Sequence, residues 1–284
     1  MERIVEKASI LIEALPYIKK FRGKEVVIKY GGAAMNCEEI RKNILQDLVF
    51  MNYVGIKPIL IHGGGPMINQ KLIEKGITPR FIDGLRYTDK ETMGVVEETL
   101  ANINKEMVHD INHFGARAIG MSGHVNEILS VRKHEASEDI GFVGEVISVN
   151  TMPIRELTEF NIIPIIYPVG FDESGAVYNV NADEASSKIA IALQAQKMMV
   201  LTGAPGILRD INDEATLLST VHDNEVDTLI QQNVIAEGML PKVKACLDAL
   251  KGGVKKTHII DGRVKHSLLL EIFTDQGIGT ELVH

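Results

Sequence analysis

The sequence has few cysteines and no long apolar run, and both shortages exclude classes of protein. Cys37 and Cys246 are the only cysteines and form no Cys-x-x-Cys pair, which argues against a disulfide scaffold or a cysteine-ligated zinc site. No segment approaches the roughly 20 consecutive apolar residues of a membrane span. An excess of positive charge is also lacking: the net charge of −8 argues against a general partner of nucleic acids or membrane surfaces.

Standard nucleotide-binding motifs are missing as well. The Walker A pattern GxxxxGK[ST] does not occur, and the Rossmann pattern GxGxxG fails after Gly63 because its last position is Ile68. The segment IHGGGP at 61–66 also fits the oxyanion hole of a lipase-like hydrolase, but such an enzyme needs a GxSxG elbow. The nearest candidate, around Ser122, has His124 in place of the last glycine. The hydrolase interpretation therefore lacks its nucleophile, and a nucleotide site must be of another design.

Short β-branched runs alternate with helical patterns along the chain. The strand-like runs are EVVIKY, KPILIH, FNIIPIIYPVG, KMMVLTG and THIID, and the helical patterns cover 38–53, 66–75, 182–195 and 241–251. This alternation predicts an α/β fold with a mainly parallel central sheet and helices on both faces. Ligands should lie at the carboxyl ends of the strands. Residues 116–150 hold three short strand-like pieces, which predict hairpins beside the sheet.

An amphipathic helix is predicted before the first strand. Ile4, Ala8, Leu11, Leu15 and Ile18 recur at helical spacing and form one apolar stripe. The stripe either docks on its own domain or packs against a second subunit. Charged residues interrupt the segment, which argues against a secretion signal, so we expect a cytoplasmic protein.

Glycine-containing loops follow three of the predicted strands. They are Gly31-Gly32, Gly63 to Gly65, and Thr202 to Gly206. Glycine lets backbone N–H groups approach a phosphate, and Pro66 suits the first turn of a helix whose positive end faces that anion. One such loop is more often a tight connection. Three at the same edge of a sheet predict a polyphosphate site.

Five polar residues are candidates for chemistry. Asn179, Asn181 and Asp183 alternate along an extended segment and therefore point the same way. Asp183 is placed to hold two ammonium groups, although Asn181 or Asp183 also fits a helix N-cap. Lys242 lies in the first turn of a predicted helix, where the helix dipole does not favour a lysine, so we expect an anionic ligand there. Arg86 follows a turn and suits a carboxylate, with a solvated surface arginine as the alternative.

Eight segments occur in the order typical of the amino-acid kinase family: KYGG, IHGGGP, GLRYTD, INKE, YNVNADEA, LTGAPGIL, GMLPK and EIFTDQGIGT. On these motifs the chain resembles that family over nearly its whole length, and within it the branch that phosphorylates N-acetyl-L-glutamate. The resemblance implies a three-layer sandwich around a mainly parallel sheet. It also implies an N-terminal oligomerisation helix at 1–22, a substrate-binding lobe at 23–177 and an ATP-binding lobe at 178–284, within one continuous sheet.

The reaction implied by the resemblance is phosphoryl transfer from ATP to the γ-carboxylate of N-acetyl-L-glutamate, the second step of arginine biosynthesis. Mg²⁺ would be held mainly by phosphates and water, with no metal site of the protein's own. The acceptor carboxylate has a pKa of roughly 4.3 and is ionised at pH 7, so no general base is required. Positive charge must instead balance the loose transition state.

Carried over by motif, the site residues of the family fall into three groups. Lys29 and Lys242 would stabilise the transferring phosphoryl group, and Asp183 would orient both lysines. The substrate would be bound by Gly64, Gly65, Arg86 and Asn179. The nucleotide and its phosphates would be bound by Gly31, Gly32, Thr202, Gly203, Leu208, Gly238 and Met239.

The two ends of the chain resemble the arginine-inhibited branch of the family, in which N-terminal helices link dimers into a hexamer. The arginine site implied by this resemblance contains Tyr17, His266, Glu271 and Gly277. Glu271 suits a guanidinium group, although a glutamate on a helix surface is more often solvated. The resemblance therefore implies feedback inhibition by arginine and a homohexamer arranged as a trimer of dimers.

Gly203 departs from the family pattern, which has an acidic residue at this position. The departure leaves open a non-catalytic sensor of arginine or nucleotide. Arg86 and Asn179 do not fix the length of the acceptor, so an aminoadipate derivative or aspartate stays as an alternative substrate. Both lysines and Asp183 are retained, which favours an active kinase.

Overall fold

The computed structural model describes residues 2–32, 35, 37–275 and 277–284. The helices are α1 (Glu2–Phe21), α2 (Glu38–Tyr53), α3 (Gly65–Glu74), α4 (Lys90–His113), α5 (Met152–Glu159), α6 (Ala182–Leu193), α7 (Val226–Gln231), α8 (Leu240–Lys251) and α9 (Ser267–Ile272). The strands are β1 (Glu25–Tyr30), β2 (Lys57–His62), β3 (Phe81–Ile82), β4 (Leu85–Arg86), β5 (Arg117–Ser122), β6 (Leu129–Lys133), β7 (Val143–Val149), β8 (Ile162–Tyr167), β9 (Val169–Phe171), β10 (Val177–Val180), β11 (Lys197–Thr202), β12 (Thr220–His222), β13 (Thr257–Asp261) and β14 (Thr280–Val283).

Eight strands of the described chain form one sheet, in the order β12-β14-β13-β11-β1-β2-β8-β5. Neighbouring strands are parallel except for β13 and β14, which run antiparallel. β1 lies near the middle, where Val27 is opposite Ile59 of β2 and Met198 of β11. The mainly parallel sheet predicted from the sequence is confirmed.

Successive side chains of β1 enter two different cores, because a strand directs alternate residues to opposite faces. Val27 packs in a cluster with Ile189 of α6 and Val243 of α8. Val26 packs on the other face, in a cluster that contains Leu45 of α2. Full burial of each such side chain contributes about 1.5–3 kcal/mol relative to exposure. The sheet is thus covered by helices on both faces, which confirms the predicted three-layer architecture.

The region 116–150 differs in part from its prediction as hairpins beside the sheet. β6 and β7 do form an antiparallel pair, and with β9 and β10 they close a small barrel. β5 instead pairs with β8, parallel and in register from Arg117 opposite Ile162, and is the edge strand of the main sheet. The long helix α4 returns the chain to the start of β5, which is the connection that a parallel strand requires.

The predicted run FNIIPIIYPVG also separates into two strands. β8 belongs to the main sheet and β9 to the barrel. Pro168 lies between them and lacks a backbone N–H, so it interrupts the hydrogen-bonded ladder. The barrel strand β9 therefore begins directly after the carboxyl end of the central-sheet strand β8.

The N-terminal helix is present, but its apolar stripe does not dock on its own domain over the described side chains. α1 runs through Pro16 without interruption, and residue 1 of the predicted range 1–22 lies outside the described residues. Leu11 is 67% exposed and Leu15 is 41% exposed, whereas Phe21 at the end of the helix is buried. Among the described helices, α1 included, none is both long and apolar enough to cross a membrane.

Candidate active site

Three glycine-containing loops meet at the carboxyl edge of the sheet. They follow β1, β2 and β11, which are neighbouring parallel strands. The N–H of Gly63 donates to the carbonyl of Tyr30 at 2.8 Å, and a Cβ on Gly31 would be 3.9 Å from the nitrogen of Gly63. The fold therefore brings the predicted phosphate loops together at one edge.

A buried ion pair lies beside these loops. The Nζ of Lys29 on β1 is 2.8 Å from Oδ1 of Asp183 on α6, and both side chains are buried. Asn181 is the N-cap of α6 and accepts hydrogen bonds from the N–H groups of Asp183 and Glu184. Because Asn181 caps the helix, the carboxylate of Asp183 is available to balance the buried ammonium, which would otherwise be costly to desolvate.

The Lys29 ammonium faces the first glycine loop. A Cβ on Gly31 would be only 3.0 Å from the Nζ of Lys29, whereas one on Gly32, at φ +74°, would meet nothing within 4 Å. Gly31 thus leaves room for the ammonium, and Gly32 supplies a left-handed backbone conformation that glycine adopts without strain. A phosphate at this loop would lie within reach of a fixed positive charge.

Lys242 lies near the ion pair without joining it. Its Nζ donates to the carbonyl of Gly238 at 2.6 Å. Burial lowers the pKa of Lys242, the charge of Asp183 raises it, and the charge of Lys29 lowers it. The three charges therefore influence one another. Asp183 contacts Lys29, and its predicted role in orienting Lys242 stays a prediction.

The loop after β2 presents backbone donors at the start of a helix. Gly64 is the N-cap of α3, Gly65 begins the helix, and Pro66 lies in its first turn. The N–H groups of Gly64 and Gly65 have no hydrogen-bond acceptor in the part of the chain that the structure describes. Free N–H groups at a helix N-terminus attract anions, so this loop suits a phosphoryl oxygen or a carboxylate.

Arg86 is directed toward the same loop. Its Nη2 donates to the carbonyl of Gly65 at 3.3 Å, and its guanidinium lies over the Phe81 ring at 4.8 Å from the centroid. The side chain is buried, which lowers the pKa of Arg86. Its Nη1 is also buried and has no hydrogen-bond partner among the described residues. A buried guanidinium with an unused donor is well suited to a ligand carboxylate.

Asn179 is connected to Arg86 through one hydroxyl group. The Nδ2 of Asn179 donates to Oγ1 of Thr88 at 3.2 Å, and that hydroxyl donates to the carbonyl of Arg86 at 2.8 Å. The structure therefore brings together the substrate residues Gly64, Gly65, Arg86 and Asn179. Thr88 is a residue that the sequence analysis missed, although it follows Arg86 by two positions.

Apart from Gly31 and Gly32 after β1, the predicted nucleotide residues lie at the end of β11, in the segment that follows it, or in the segment directly before α8. Thr202 ends β11, and its carbonyl accepts the N–H of Gly262 at 2.8 Å. Gly203 and Gly238 are exposed, and a Cβ on either would meet nothing within 4 Å. Leu208 forms a bridge with Leu217, and Met239 packs at the edge of the core that contains Val243 of α8.

Away from the glycine loops, a cavity of about 500 Å³ lies between α1 and α9. Three of the four predicted arginine-site residues line it: Tyr17, Glu271 and Gly277. The hydroxyl of Tyr17 donates to Oδ1 of Asp275 at 2.5 Å. A Cβ on Gly277 would be 2.8 Å from Oε2 of Glu271, and Gly277 has φ +61°. Both observations account for a glycine at this position.

Lys197 and His258 also line this cavity, and the sequence analysis missed them. Oε1 of Glu271 is 2.7 Å from Nδ1 of His258 and 3.3 Å from Nζ of Lys197. Burial raises the pKa of Glu271, but the hydrogen bond from His258 and the nearby ammonium of Lys197 outweigh burial, and the pKa falls to about 2. Glu271 is therefore a buried anion and not the solvated helix-surface residue of the alternative interpretation.

The imidazole of His266 contacts α2, and its role in arginine binding stays a prediction. His266 precedes α9 with φ 56°, and its Nδ1 is 2.6 Å from Oδ1 of Asp47 on α2. The residues that line the cavity at Glu271 do not include His266. In this structure His266 joins α9 to α2, and His258 takes the position beside Glu271.

Known proteins resemble the chain over its whole length. Residues 24–261 match the amino acid kinase family. A protein from Desulforamulus reducens named acetylglutamate kinase is 50% identical over 281 residues, which are 98% of this chain and 98% of the relative. Another of the same name, from Aquifex aeolicus, is 47% identical over 298 residues, 99% of each chain.

Solved structures share the fold. N-acetylglutamate synthase from Neisseria gonorrhoeae, complexed with coenzyme A and N-acetyl-glutamate, has a TM-score of 0.85 and 25% identity over 98% of this chain, which spans 63% of that protein. Carbamate kinase from Giardia lamblia bound to AMP-PNP has a TM-score of 0.64 and 18% identity over 92% of this chain and 98% of that one, a likeness of fold alone. From the family match and the full-length relatives, the chain belongs to the amino acid kinase family.

Proposed function

We propose that this protein transfers the γ-phosphoryl group of ATP to the γ-carboxylate of N-acetyl-L-glutamate, giving N-acetyl-L-glutamyl 5-phosphate in the second step of arginine biosynthesis. Relatives that are 47–50% identical from end to end are named acetylglutamate kinase, which supports this acceptor. The observation that carries the chemistry is the buried Lys29–Asp183 pair, 2.8 Å apart, beside three glycine loops.

The chain's own residues supply charge and alignment. The acceptor carboxylate is ionised at pH 7 and attacks without a general base. Lys29 and Lys242 balance the negative charge that spreads over the transferring group, and Asp183 holds Lys29 in place. The free N–H groups of Gly64 and Gly65 donate to the acceptor and to the phosphoryl oxygens, as those of Gly31 and Gly32 do to the phosphates.

The acceptor is held on the Arg86 side of the site. The unused Nη1 of Arg86 pairs with the α-carboxylate, and Asn179, joined to Arg86 through Thr88, hydrogen-bonds the acetylated amino group. Both groups are fixed by contacts with neighbouring residues, so the acceptor would bind with little loss of side-chain freedom. These contacts do not determine how far the reacting carboxylate lies from the α-carboxylate. Acidic acceptors of other lengths are therefore tested beside N-acetyl-L-glutamate.

ATP binds on the other side, along the segment from Thr202 to Leu208 together with Gly238 and Met239. Among the described residues, no group of three His, Cys, Asp or Glu side chains is placed to hold a metal ion. We propose that Mg²⁺ enters on the phosphates of ATP, where it would supply further positive charge. A Cβ at Gly203 would meet nothing within 4 Å. The acidic side chain of the family pattern therefore has no packing partner here, and its replacement by glycine leaves no gap in the loop.

The test is a product assay with purified protein, MgATP and N-acetyl-L-glutamate. We expect release of ADP together with an acyl phosphate that hydroxylamine traps as a hydroxamate. Aspartate and an N-acetylated aminoadipate serve as parallel acceptors, and a higher kcat/KM for either would reassign the substrate. ATP binding by calorimetry without product from any acceptor would favour the non-catalytic sensor instead.

We further propose that arginine binds in the cavity lined by Tyr17, Lys197, His258 and Glu271 and inhibits the reaction. The buried carboxylate of Glu271, 2.7 Å from His258, offers a charge partner for a guanidinium, and the cavity of about 500 Å³ is large enough for an amino acid. The cavity lies against α1, so we infer that this helix, the N-terminal arm, takes part in the inhibition by arginine.

Matched histidine variants test this cavity. His258→Asn should raise the arginine concentration for half-inhibition at least tenfold, about 1.4 kcal/mol, because the ring lies at Glu271. His266→Asn should leave it within about twofold, since Asn tolerates a positive φ and still donates to Asp47. Equal effects of both variants, or the reverse order, would place the effector elsewhere.

The assembly and the location are also proposals. The exposed apolar side chains of α1, with Leu11 at 67% and Leu15 at 41%, support an arm that joins dimers into a hexamer. Cys37 and Cys246 are both free thiols, which supports a reducing cytoplasm.

A further inference from the structure

His62 ends β2 directly before the glycine loop, and its side chain is fully buried. Its Nδ1 is 2.9 Å from the carbonyl oxygen of Gly63, and its Nε2 is 3.1 Å from Nδ2 of Asn104 on α4. The same Nδ2 donates to the carbonyl of Ile165 on β8 at 2.8 Å. Every polar atom of the imidazole thus has a partner, although none of these contacts involves the residues assigned to the reaction.

The contacts of Asn104 determine which imidazole nitrogen carries the proton. The carbonyl of Ile165 only accepts, so the atom of Asn104 that faces it is the amide nitrogen. That nitrogen uses its second hydrogen toward Nε2 of His62, which is therefore the acceptor. Nδ1 must then carry the hydrogen and donate to Gly63. Burial lowers the pKa of His62 to about 4, so this neutral form persists at pH 7.

The carbonyl of Gly63 and the N–H of Gly64 belong to the same peptide group. That group is planar and trans, so the two bonds point in opposite directions, and fixing one fixes the other. The N–H of Gly63 is itself held by the carbonyl of Tyr30 at 2.8 Å. Gly63 is therefore held at both its N–H and its carbonyl, and the carbonyl belongs to the peptide group that carries the N–H of Gly64.

We propose that His62 is a positioning residue of the kinase reaction: by donating to the carbonyl of Gly63 it aims the N–H of Gly64 at the transferring phosphoryl group. Asn104 fixes the required tautomer from the opposite side of the ring. The inference rests on the proposed phosphoryl transfer, because the aim of this N–H matters only if an anion is bound there. Its effect belongs in the transition state, where charge on the phosphoryl oxygens must be met at a fixed geometry.

Two amide substitutions separate the two ring nitrogens. In His62→Asn the amide nitrogen takes the place of Nδ1, so the donor to Gly63 is kept and the contact with Asn104 is lost. In His62→Gln the amide reaches the place of Nε2, so the donor to Gly63 is lost. A misplaced donor costs about tenfold to a hundredfold in rate. We expect that loss of kcat for His62→Gln, with both KM values within about twofold, and no more than about a threefold loss for His62→Asn.

Steady-state kinetics of both variants, with their thermal midpoints, decide between positioning and simple packing. A histidine that only fills the core predicts equal kcat for the two variants, or losses that follow the midpoints, and either result would overturn the proposal. If His62→Gln does not fold, Asn104→Ser replaces it in the test. This variant removes the donor to Nε2, so the proton of His62 is no longer confined to Nδ1, and kcat should fall about fivefold. An unchanged kcat would contradict the proposal. Failure of wild-type turnover would instead reject the kinase function itself.

Discussion

Asp183 and Lys29 form the buried ion pair of the site. Either charge, buried without its partner, would lower the stability of the fold. Replacing Asp183 with Asn keeps the size of the side chain but leaves the ammonium of Lys29 buried and unpaired. Breaking such a pair from one side costs about 3–5 kcal/mol of stability. Loss of the charge that orients Lys29 should also lower kcat about a hundredfold or more. Urea unfolding and the hydroxamate assay measure the two effects.

A surface pair provides the control for Asp183→Asn. Glu145 and Arg132 are 2.9 Å apart with side chains 37% and 66% exposed, and an exposed pair contributes about 1 kcal/mol or less. Glu145→Gln should therefore change neither stability nor turnover noticeably. If Asp183→Asn behaves like this control, the ion pair has no part in the reaction.

The pKa of His62 predicts how stability changes with pH. Burial lowers it from 6.5 to about 4 in the folded protein, so the neutral ring contributes stability that is fully present above pH 6.5. As the pH falls toward 4, the unfolded chain takes up a proton that the folded chain does not. The contribution is then lost, about 3 kcal/mol in all.

In the His62→Asn variant the side chain at this position is an amide, which takes up no proton in this pH range. Between pH 6.5 and 4, the free energy of unfolding should therefore fall more steeply for the wild type than for the variant. Urea titrations of both proteins across that range measure the difference directly, because all other titrating groups are shared. Parallel curves would mean that the buried imidazole is protonated as readily as a free one.

The N-cap of helix α3, Gly64, and its first residue, Gly65, are two glycines whose surroundings differ. A Cβ on Gly64 would lie 2.8 Å from Leu100 and 2.9 Å from Ile103, both on α4, whereas one on Gly65 would meet nothing within 4 Å. Gly64→Ala should therefore lower stability by about 1–3 kcal/mol through overpacking. Gly65→Ala should be neutral or stabilise by about 0.4–1 kcal/mol, since the helical conformation suits alanine.

Chemical denaturation of the two alanine variants ranks these effects. The pair is closely matched, because the substitutions are identical and adjacent in the chain. A larger loss for Gly65→Ala would mean that α3 does not pack on α4 as described. Such a result would also remove the support for free N–H groups held at a fixed place in the loop.

The sheet strands that the sequence predicted correctly are those with a continuous apolar run. β1, β2 and β13 are buried on both faces, and such strands need apolar residues at nearly every position. The edge strand β5 has exposed positions among buried ones, so its pattern does not distinguish it from the barrel strands that follow. Its place in the sheet depends on pairing with β8, which no local signal contains.

The same limit applies to the site residues. Lys29 lies on β1, and Asp183 lies at the start of α6, which follows β10 of the barrel. Their meeting depends on the packing of α6 against β1, which neither motif contains by itself. His258 lies inside the buried strand β13, where the sequence pattern does not distinguish a ligand-binding histidine from one that only fills the core. It meets Glu271 only because α9 folds back against β13. His266 is closer to Glu271 in the chain but turns toward Asp47.

The two predicted lobes share the sheet evenly. β1, β2, β5 and β8 come from 23–177, and β11, β12, β13 and β14 come from 178–284. β1 and β11 pair directly, and the ion pair of Lys29 and Asp183 joins one half to the other. A phosphoryl group passing between an acceptor on one half and ATP on the other would cross at this line. The lobe boundaries themselves stay a prediction.

The assembly of the whole molecule should depend on α1. Deleting residues 1–20 removes the exposed apolar side chains of the arm, but it also removes Tyr17 from the arginine cavity. Leu11→Glu combined with Leu15→Glu is therefore the sharper variant, because it places charge on the exposed stripe and keeps Tyr17. Light scattering should show six associated chains in the wild type and two in the double variant.

Turnover should survive this change, because Lys29 lies on β1, Asp183 lies on α6 and the glycine loops follow strands of the sheet, so none of them belongs to α1. Lys19→Ala, at an exposed polar position of the same helix, is the control and should leave the hexamer intact. Burial of two leucines per arm contributes about 3–6 kcal/mol, and the desolvation of two glutamates would more than cancel it. An unchanged molar mass of the double variant would show that the arm does not hold the subunits together.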